Sequence, residues 1–360
     1  MIREIQNYPL SKDDIIKLLT SEGREKEELF NYSAEVKRKI VGNKVYLRGL
    51  IELSNICKKD CCYCGIRKSN HKIKRYILTE EEVIRTIKKA YEEGYGSVAI
   101  QSGEQSSKSF TDKINRILQS TKQITNNNIG ITLSCGEQSK ETYRRWYESG
   151  ADRYLLRVET SSESLYKRLH PNDNKHSFSR RIKALELLKV AGYQVGTGVM
   201  IGLPFQTKKN LADDLLFMKS IDIDMCGMGP YIEHSDTPLN SIQNQLLTKE
   251  ERFNLSLKMV SLLRLLMPDI NIAATTALQT LKCNGREMAI KVGANVIMPN
   301  ITPGLYKENY LLYENKPVSI KSDEDELNIL ELKLEEVDNN ICYFSQGNSK
   351  HYFNRIYNSD

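Results

Sequence analysis

Three cysteines stand at C-x3-C-x2-C spacing in the run CKKDCCYCGIR (57–67): Cys57, Cys61 and Cys64, with Tyr63 directly before the last. Thiolates on so short a loop can converge on one metal centre, and soft sulfur ligands suit an iron–sulfur cluster or zinc. A four-iron cubane held by three thiolates leaves one iron open to a small molecule. Zinc prefers a closed tetrahedral set and could recruit His71 as a fourth ligand. A third reading, three thiols merely packed, fits poorly because cysteines clustered this closely seldom serve a core. Cys62 follows Cys61 directly and is expected to point elsewhere. Cys135, Cys226, Cys283 and Cys342 are scattered, as packed small hydrophobes would be.

Further polar residues fall where strand patterns end. Gln101, Ser102, Gly103 and Glu104 offer an amide, a hydroxyl and a carboxylate beside a glycine that lets a ligand approach the backbone. Thr132, Ser134 and Glu137 follow in the same manner. Arg157 and Glu159, two apart in YLLRVET, share one face of an extended chain, and such a pair pointing inward either binds a polar ligand or closes a salt bridge. Arg181 opens a helix and could meet a carboxylate. GTGVMIGLP (196–204) has glycines within a strand rather than in a strand-to-helix turn, which excludes a dinucleotide fingerprint. Gly202 in that run would let a flat ring lie on the strand end. Later strand ends add Met225, Met228, Tyr231, Thr275, Thr276, Met298 and Asn300, a lining suited to a mostly apolar chamber.

These residues need a frame, and the chain supplies a regular one. Short β-branched runs at 45–54, 97–101, 130–134, 153–159, 194–201, 224–229, 271–275 and 295–298 alternate with helical patterns. One helix opens on Thr79 with Glu82 three residues later, a capping box. Eight strand–helix units predict a parallel α/β sheet that closes as a (β/α)8 barrel, with an open doubly wound sheet as the alternative. In either case chemistry belongs at the C-terminal strand ends, and the cysteine loop follows the first strand. Residues 1–43 read as an N-terminal helical extension, 44–301 as the barrel, and 302–360 as a more polar, partly irregular segment covering it. The final run, GNSKHYFNRIYNSD, is expected to be loosely ordered.

Composition narrows the class. At 360 residues with 40% hydrophobic and 27% charged residues, the chain can bury one large core. The net charge of +6 is mild, and the basic runs 72–75 and 180–183 lack interleaved aromatics, so nucleic acid is not expected. The N-terminus has no apolar signal segment and no stretch is long enough to span a membrane, which points to the cytoplasm. Eight cysteines in a reducing compartment favour metal or redox chemistry over disulfides.

The runs LRGLIELSNICKKDCCYCGIRKSN, AIQSGE, ITLSCGE, DRYLLRVET, MIGLPFQT, DMCGMGPYIEHSDTPL, ATTAL and GREMAIKVGANVIMPNITP occur in order between about 45 and 305. Together they resemble the HydE family, radical S-adenosylmethionine (radical SAM) maturases of [FeFe]-hydrogenase related to biotin synthase and methylornithine synthase. The resemblance implies a [4Fe–4S] cluster on Cys57, Cys61 and Cys64, with S-adenosylmethionine chelating the open iron. It implies cofactor contacts from Gln101, Ser102, Thr132, Arg157, Glu159, Arg181 and Gly202, and a substrate end lined by Met228, Thr275, Thr276 and Tyr306. The radical so formed would act on a small organometallic substrate, a cysteine-bound Fe(CO)2CN unit. Implied partners are HydG, HydF and a one-electron reductant such as ferredoxin or flavodoxin. Two alternatives stand beside it: a methylornithine synthase-like mutase of an amino acid, and a zinc-binding scaffold that is not an enzyme. Family members carry histidine where this chain has Val158, and alternation should turn that position away from Arg157 and Glu159. Only Cys342 lies beyond Cys283, so a second cluster with three local ligands is not expected.

Overall fold

The computed structural model describes residues 10–317 and 323–357. Readings that fall on residues 1–9, 318–322 and 358–360 lie outside the described residues. In chain order the strands are β1 (Lys44–Ser54), β2 (Ser97–Ser102), β3 (Gly130–Ser134), β4 (Arg153–Leu155), β5 (Gln194–Thr197), β6 (Met200–Ile201), β7 (Met225–Cys226), β8 (Gly229–Pro230), β9 (Asn271–Ala274), β10 (Val296–Ile297) and β11 (Asn340–Cys342). Eight of them pair in parallel in the order β1-β2-β3-β4-β5-β7-β9-β10, and the ring closes where β10 meets β1 at Tyr46↔Val296 and Leu47↔Ile297. That closure makes a (β/α)8 barrel and excludes the open sheet.

Parallel neighbours need a crossover, and helices fill that role on the outside of the ring. Helix Glu80–Glu92 begins at the predicted capping box, Thr79 with Glu82, and buries Val83, Ile87 and Ala90 on one stripe. Helices Lys12–Thr20 and Gly23–Ile40 precede the barrel, and the latter packs on helix Lys249–Leu266. Buried Lys37 on Gly23–Ile40 donates to the Ile290 carbonyl at 2.6 Å and the Asn339 side chain at 2.7 Å, and burial lowers its pKa to about 7. Among the described residues no helix is long and apolar enough to cross a membrane.

Two strands are shorter than their sequence patterns. The run at 153–159 pairs regularly only to Leu155, and that at 194–201 divides into β5 and β6. The cause is a close backbone approach: a Cβ on Gly198 would lie 2.1 Å from the Gly227 carbonyl oxygen. Beyond it β6 pairs with β8 in a small separate ribbon at the mouth.

The C-terminal segment reaches both ends of the barrel. Tyr310, Leu312, Tyr313 and Lys316 lie over the mouth, where they line the cavity described below. β11 then pairs with the first residues of β1, at Lys44↔Asn340 through Tyr46↔Cys342. The run expected to be loose, GNSKHYFNRIYNSD, instead forms the barrel floor over its described residues, 347–357. Gly347 accepts from buried Arg48 at 3.0 Å and Asn271 at 2.9 Å, and Asn348 accepts from Arg153. Helix Lys350–Tyr357 follows, with Arg355 on Asp224 at 2.6 Å and His351 between Asp222 (2.7 Å) and Asp269 (2.9 Å). Sequence polarity misled here because the partners of these groups are inward arginines and strand-end aspartates far away in the chain.

Candidate active site

The cysteine loop leaves β1 at the mouth, and its path is fixed mainly by side chains that bond to backbone. Asn55 donates to the carbonyls of Lys74 (2.8 Å) and Asn309 (2.7 Å) and accepts from the Tyr76 amide (2.8 Å). The Arg75 guanidinium donates to carbonyls of Asn55, Ile66, Arg67 and Asn70, drawing the loop into a ring. At Gly65 a Cβ would lie 2.2 Å from the Leu311 carbonyl and 2.4 Å from the His234 ring, so only glycine lets the C-terminal segment cross here. The Gly65 amide donates to the Leu312 carbonyl at 2.9 Å, which ties that crossing down.

Cys57, Cys61 and Cys64 all line one cavity of about 320 Å³ at the barrel mouth. Cys62 does not: its amide donates to Leu169, and its side chain packs in a small cluster with Leu165, Leu169 and Tyr231. The Cys57 sulfur accepts amide hydrogens from Lys59 (3.4 Å) and Glu104 (3.3 Å). Burial first, then the charges of Cys64 and Cys57, push the Cys61 thiol well above its ordinary range; burial and Cys57 push Cys64 to about 12. Three crowded thiols that repel one another as thiolates suit a cationic metal centre. His71 is exposed and absent from this lining, so the zinc reading lacks its fourth ligand. Among the described residues no three His, Cys, Asp or Glu side chains converge tightly enough for a single ion. Three thiols lining one cavity are a donor set of the kind that would hold a four-iron cluster with one iron left open.

A charged wall surrounds the thiols. Buried Lys59 lies 3.4 Å from Glu104 and 3.2 Å from Glu137, and Arg181 lies 2.9 Å from Glu137 and 3.6 Å from Glu104. Glu104 and Glu137 outweigh burial and hold the Arg181 guanidinium firmly charged. Arg157 pairs with Glu159 at 2.9 Å. Burial raises the Glu159 pKa, against the pull of Arg157 and Arg181. Glu159 has φ +66°, a left-handed backbone that a non-glycine residue holds only where neighbours enforce it; here its amide donates to Gly198 (3.0 Å) and its carbonyl accepts from Met200 (3.0 Å). Across the cavity Lys316 pairs with Glu52, which also accepts from Asn300 at 3.0 Å, and Gln101 donates to the Tyr310 hydroxyl at 3.2 Å.

Comparison with known proteins places this geometry. The Radical SAM superfamily model matches residues 51–218. The [FeFe] hydrogenase maturase subunit HydE of Thermotoga maritima is 45% identical over 297 residues, 82% of each chain. The chain belongs to the HydE family. The 3-methylornithine synthase of Methanosarcina barkeri is more distant, 29% identical over 91% of each chain. Among solved structures, methylornithine synthase superposes with a TM-score of 0.81 at 25% identity, covering 95% of this chain and 97% of that one. The maturase HydG from Carboxydothermus hydrogenoformans shares the fold, with a TM-score of 0.79 at 20% identity over 95% and 78% of the two chains.

HydE-type maturases are radical SAM enzymes, and their cofactors are a [4Fe–4S] cluster and S-adenosylmethionine. Of the residues singled out for them, Gln101, Ser102, Arg157, Glu159, Arg181, Thr275 and Thr276 share the cavity with the three cysteines. Four do not. Thr132 lies two residues below the end of β3 and lines a smaller void deeper in the barrel, with Arg48, Met225 and Asn271. Gly202 adopts φ +81° and turns the chain, its Cα packed where a Cβ would lie 2.5 Å from Arg252. Met228 is buried in the core, because the neighbouring Gly227 and Gly229 take the cavity-facing positions. Tyr306 sits outside, its ring tilted 34° against that of Tyr76 and its hydroxyl donating to Glu82 at 2.9 Å. Tyr310 and Tyr313 line the cavity in its place. Val158, between Arg157 and Glu159, is wholly buried and belongs to the hydrophobic core.

Sequence reasoning missed Glu52, Lys59 and Lys316. Glu52 carried a signal: it is a charge at an inward register of β1, between Leu50 and Ser54. Lys59 was hidden inside the cysteine motif, and Lys316 lies in a polar segment with no periodicity to mark it.

Proposed function

We propose that the chain acts in hydrogenase maturation as a radical SAM enzyme on a cysteine-bound Fe(CO)2CN precursor, receiving it from a HydG-type maturase and passing its product toward a HydF-type scaffold. One observation carries this: three cysteine thiols, two ion-pair sets and a threonine–tyrosine wall share one cavity, which the chain's own C-terminal segment helps to line. Cys57, Cys61 and Cys64 would hold the [4Fe–4S] cluster. When bound, the cluster and S-adenosylmethionine supply a one-electron cleavage that yields methionine and a 5′-deoxyadenosyl radical.

The protein's own part is to bind, orient and exclude. Glu104 and Gln101 sit beside the thiols and accept from an ammonium; Arg181 and Lys59 answer a carboxylate. Glu159 is positioned for ribose hydroxyls, and its fixed backbone and Arg157 partner hold its carboxylate still. Thr275, Thr276 and Tyr313 face the same space from the opposite strands and from the roof, where a small polar substrate would lie. Tyr310, Leu312 and Tyr313 add apolar surface over part of the mouth, which reduces the water that could reach a reactive intermediate. The electron would come from a ferredoxin or flavodoxin.

The test is incubation of anaerobically reconstituted, reduced protein with S-adenosylmethionine and the cysteine-bound iron complex, followed by mass analysis. An adenosyl product that depends on the iron complex supports the proposal; indifference to the complex overturns it. The likeness to methylornithine synthase over nearly the whole chain supports a second reading, an amino-acid mutase, which product formation dependent on lysine would favour.

A further inference from the structure

The chain's positive charge is concentrated in one place. Residues 56–75, the cysteine loop and its return, hold seven Lys and Arg against one acid, Asp60, a net of +6. That equals the formal net charge of all 360 residues, so outside this loop 45 cations face 45 acids. A solvated charged face would be scattered; this one coincides with the loop that carries the thiols.

Part of that charge is used internally. Lys58 pairs with Glu104 at 3.6 Å, Lys59 with Glu104 and Glu137, Arg67 with Asp60 at 3.1 Å, and Arg75 caps carbonyls. The rest faces solvent. Lys68 and Lys74 are exposed and have no acidic partner among the described residues; Lys72 is 77% exposed although it touches Asp236. A second segment adds to the same face. The Lys68 amide donates to the Lys59 carbonyl, and the Lys59 ammonium reaches the Lys175 carbonyl, so Lys175 and Arg180 flank the loop. Both are exposed and also lack an acidic partner among the described residues.

We propose that this face is the docking surface for an acidic one-electron carrier protein that reduces the cluster; the inference rests on the family reading of the cysteine loop. Charge complementarity selects the partner. A cluster on Cys57, Cys61 and Cys64 would lie at the barrel mouth directly against its own binding loop, and that loop presents Lys68 and Lys74, exposed and without an acidic partner among the described residues. Like-signed charge at such a rim steers an oppositely charged protein and raises its association rate by about 10–1000-fold at low salt. The step is a single electron: the carrier is oxidised by one electron, the cluster goes from the 2+ to the 1+ state, and no bond forms or breaks. Nucleic acid, the other polyanion, finds no exposed aromatic stacking platform among these lysines.

The test uses reconstituted protein and flavodoxin as the probe, with two readouts. Binding of oxidised flavodoxin is measured by calorimetry, and cluster bleaching by photoreduced flavodoxin is followed by stopped flow, each at low and high ionic strength. Lys68→Glu/Lys74→Glu should weaken binding and slow bleaching about tenfold at low salt, and should flatten the salt dependence. Reduction by photoreduced deazaflavin, small and without a docking requirement, should be unchanged. Lys39→Glu/Lys44→Glu, at the opposite end of β1, should behave as wild type. If the first variant does not retain its cluster, Lys175→Glu/Arg180→Glu makes the same comparison. Wild-type bleaching that ignores ionic strength, or loop variants reduced as fast as wild type, overturns the docking surface. Salt-sensitive retention of an RNA oligonucleotide with no flavodoxin binding would assign the face to nucleic acid and overturn it equally. A protein that takes up no cluster at all refutes the family reading instead.

Discussion

Replacing His351 with glutamine should loosen the barrel floor at neutral pH and have little effect at high pH. The His351 ring lies between Asp269 and Asp222, at 2.9 and 2.7 Å, and the hydrogen bond to Asp269 is the main cause that raises its pKa from the usual 6.5 to about 9. The difference between those values corresponds to about 3.4 kcal/mol at 1.36 kcal/mol per pH unit. The side chain is 21% exposed and shares Asp222 with Lys189 and Arg355, so solvent screening reduces this to about 1–2 kcal/mol. The sign follows from tighter proton binding in the folded state: the contribution is complete below pH 6.5 and is lost as pH rises through 9. Amide hydrogen exchange in helix Lys350–Tyr357, corrected for the pH dependence of the intrinsic rate, reads the local opening directly. His351→Gln should lower protection there by about tenfold near pH 6.5, and the two proteins should converge by about pH 10. A difference that stays constant across this range, or no difference at all, refutes the clasp.

Three more predictions concern the mouth. Cys64→Ser should abolish cluster uptake, whereas Cys62→Ser should retain it; iron content and charge-transfer absorption after reconstitution separate them, and equal loss would mean the ligand set is wrong. Glu159→Gln should keep the cluster while weakening S-adenosylmethionine binding about tenfold by calorimetry, the loss of one charge-assisted hydrogen bond. Lys316→Met strands the buried Glu52 carboxylate and should destabilise the protein by about 3–5 kcal/mol, whereas Lys316→Met with Glu52→Gln should recover most of that. Additive effects of the two substitutions in denaturant unfolding would show that the pair is not coupled.

The sequence determined local matters. Cysteine spacing gathered three thiols on one loop, and eight strand–helix units were countable because each pattern is local; Arg157 and Glu159 do share the cavity, but beyond Leu155 irregular backbone with a left-handed Glu159, not strand alternation, puts them there. The capping box at Thr79 is readable for the same reason. Tertiary structure decided what depends on distant partners. Closure needed β10 to find β1. The level of a residue within the barrel, which put Thr132 below the cavity and Thr275 in it, depends on strand stagger that no single strand encodes. Glycines at 227 and 229 turned Met228 into the core, and the crossing at Gly65 brought Tyr310 and Tyr313, rather than Tyr306, over the cavity. Lys316 meets Glu52 across 264 positions, and His351 meets Asp222 across 129. Buried charges declare that they need partners, but which distant residues supply them is settled only when the barrel closes.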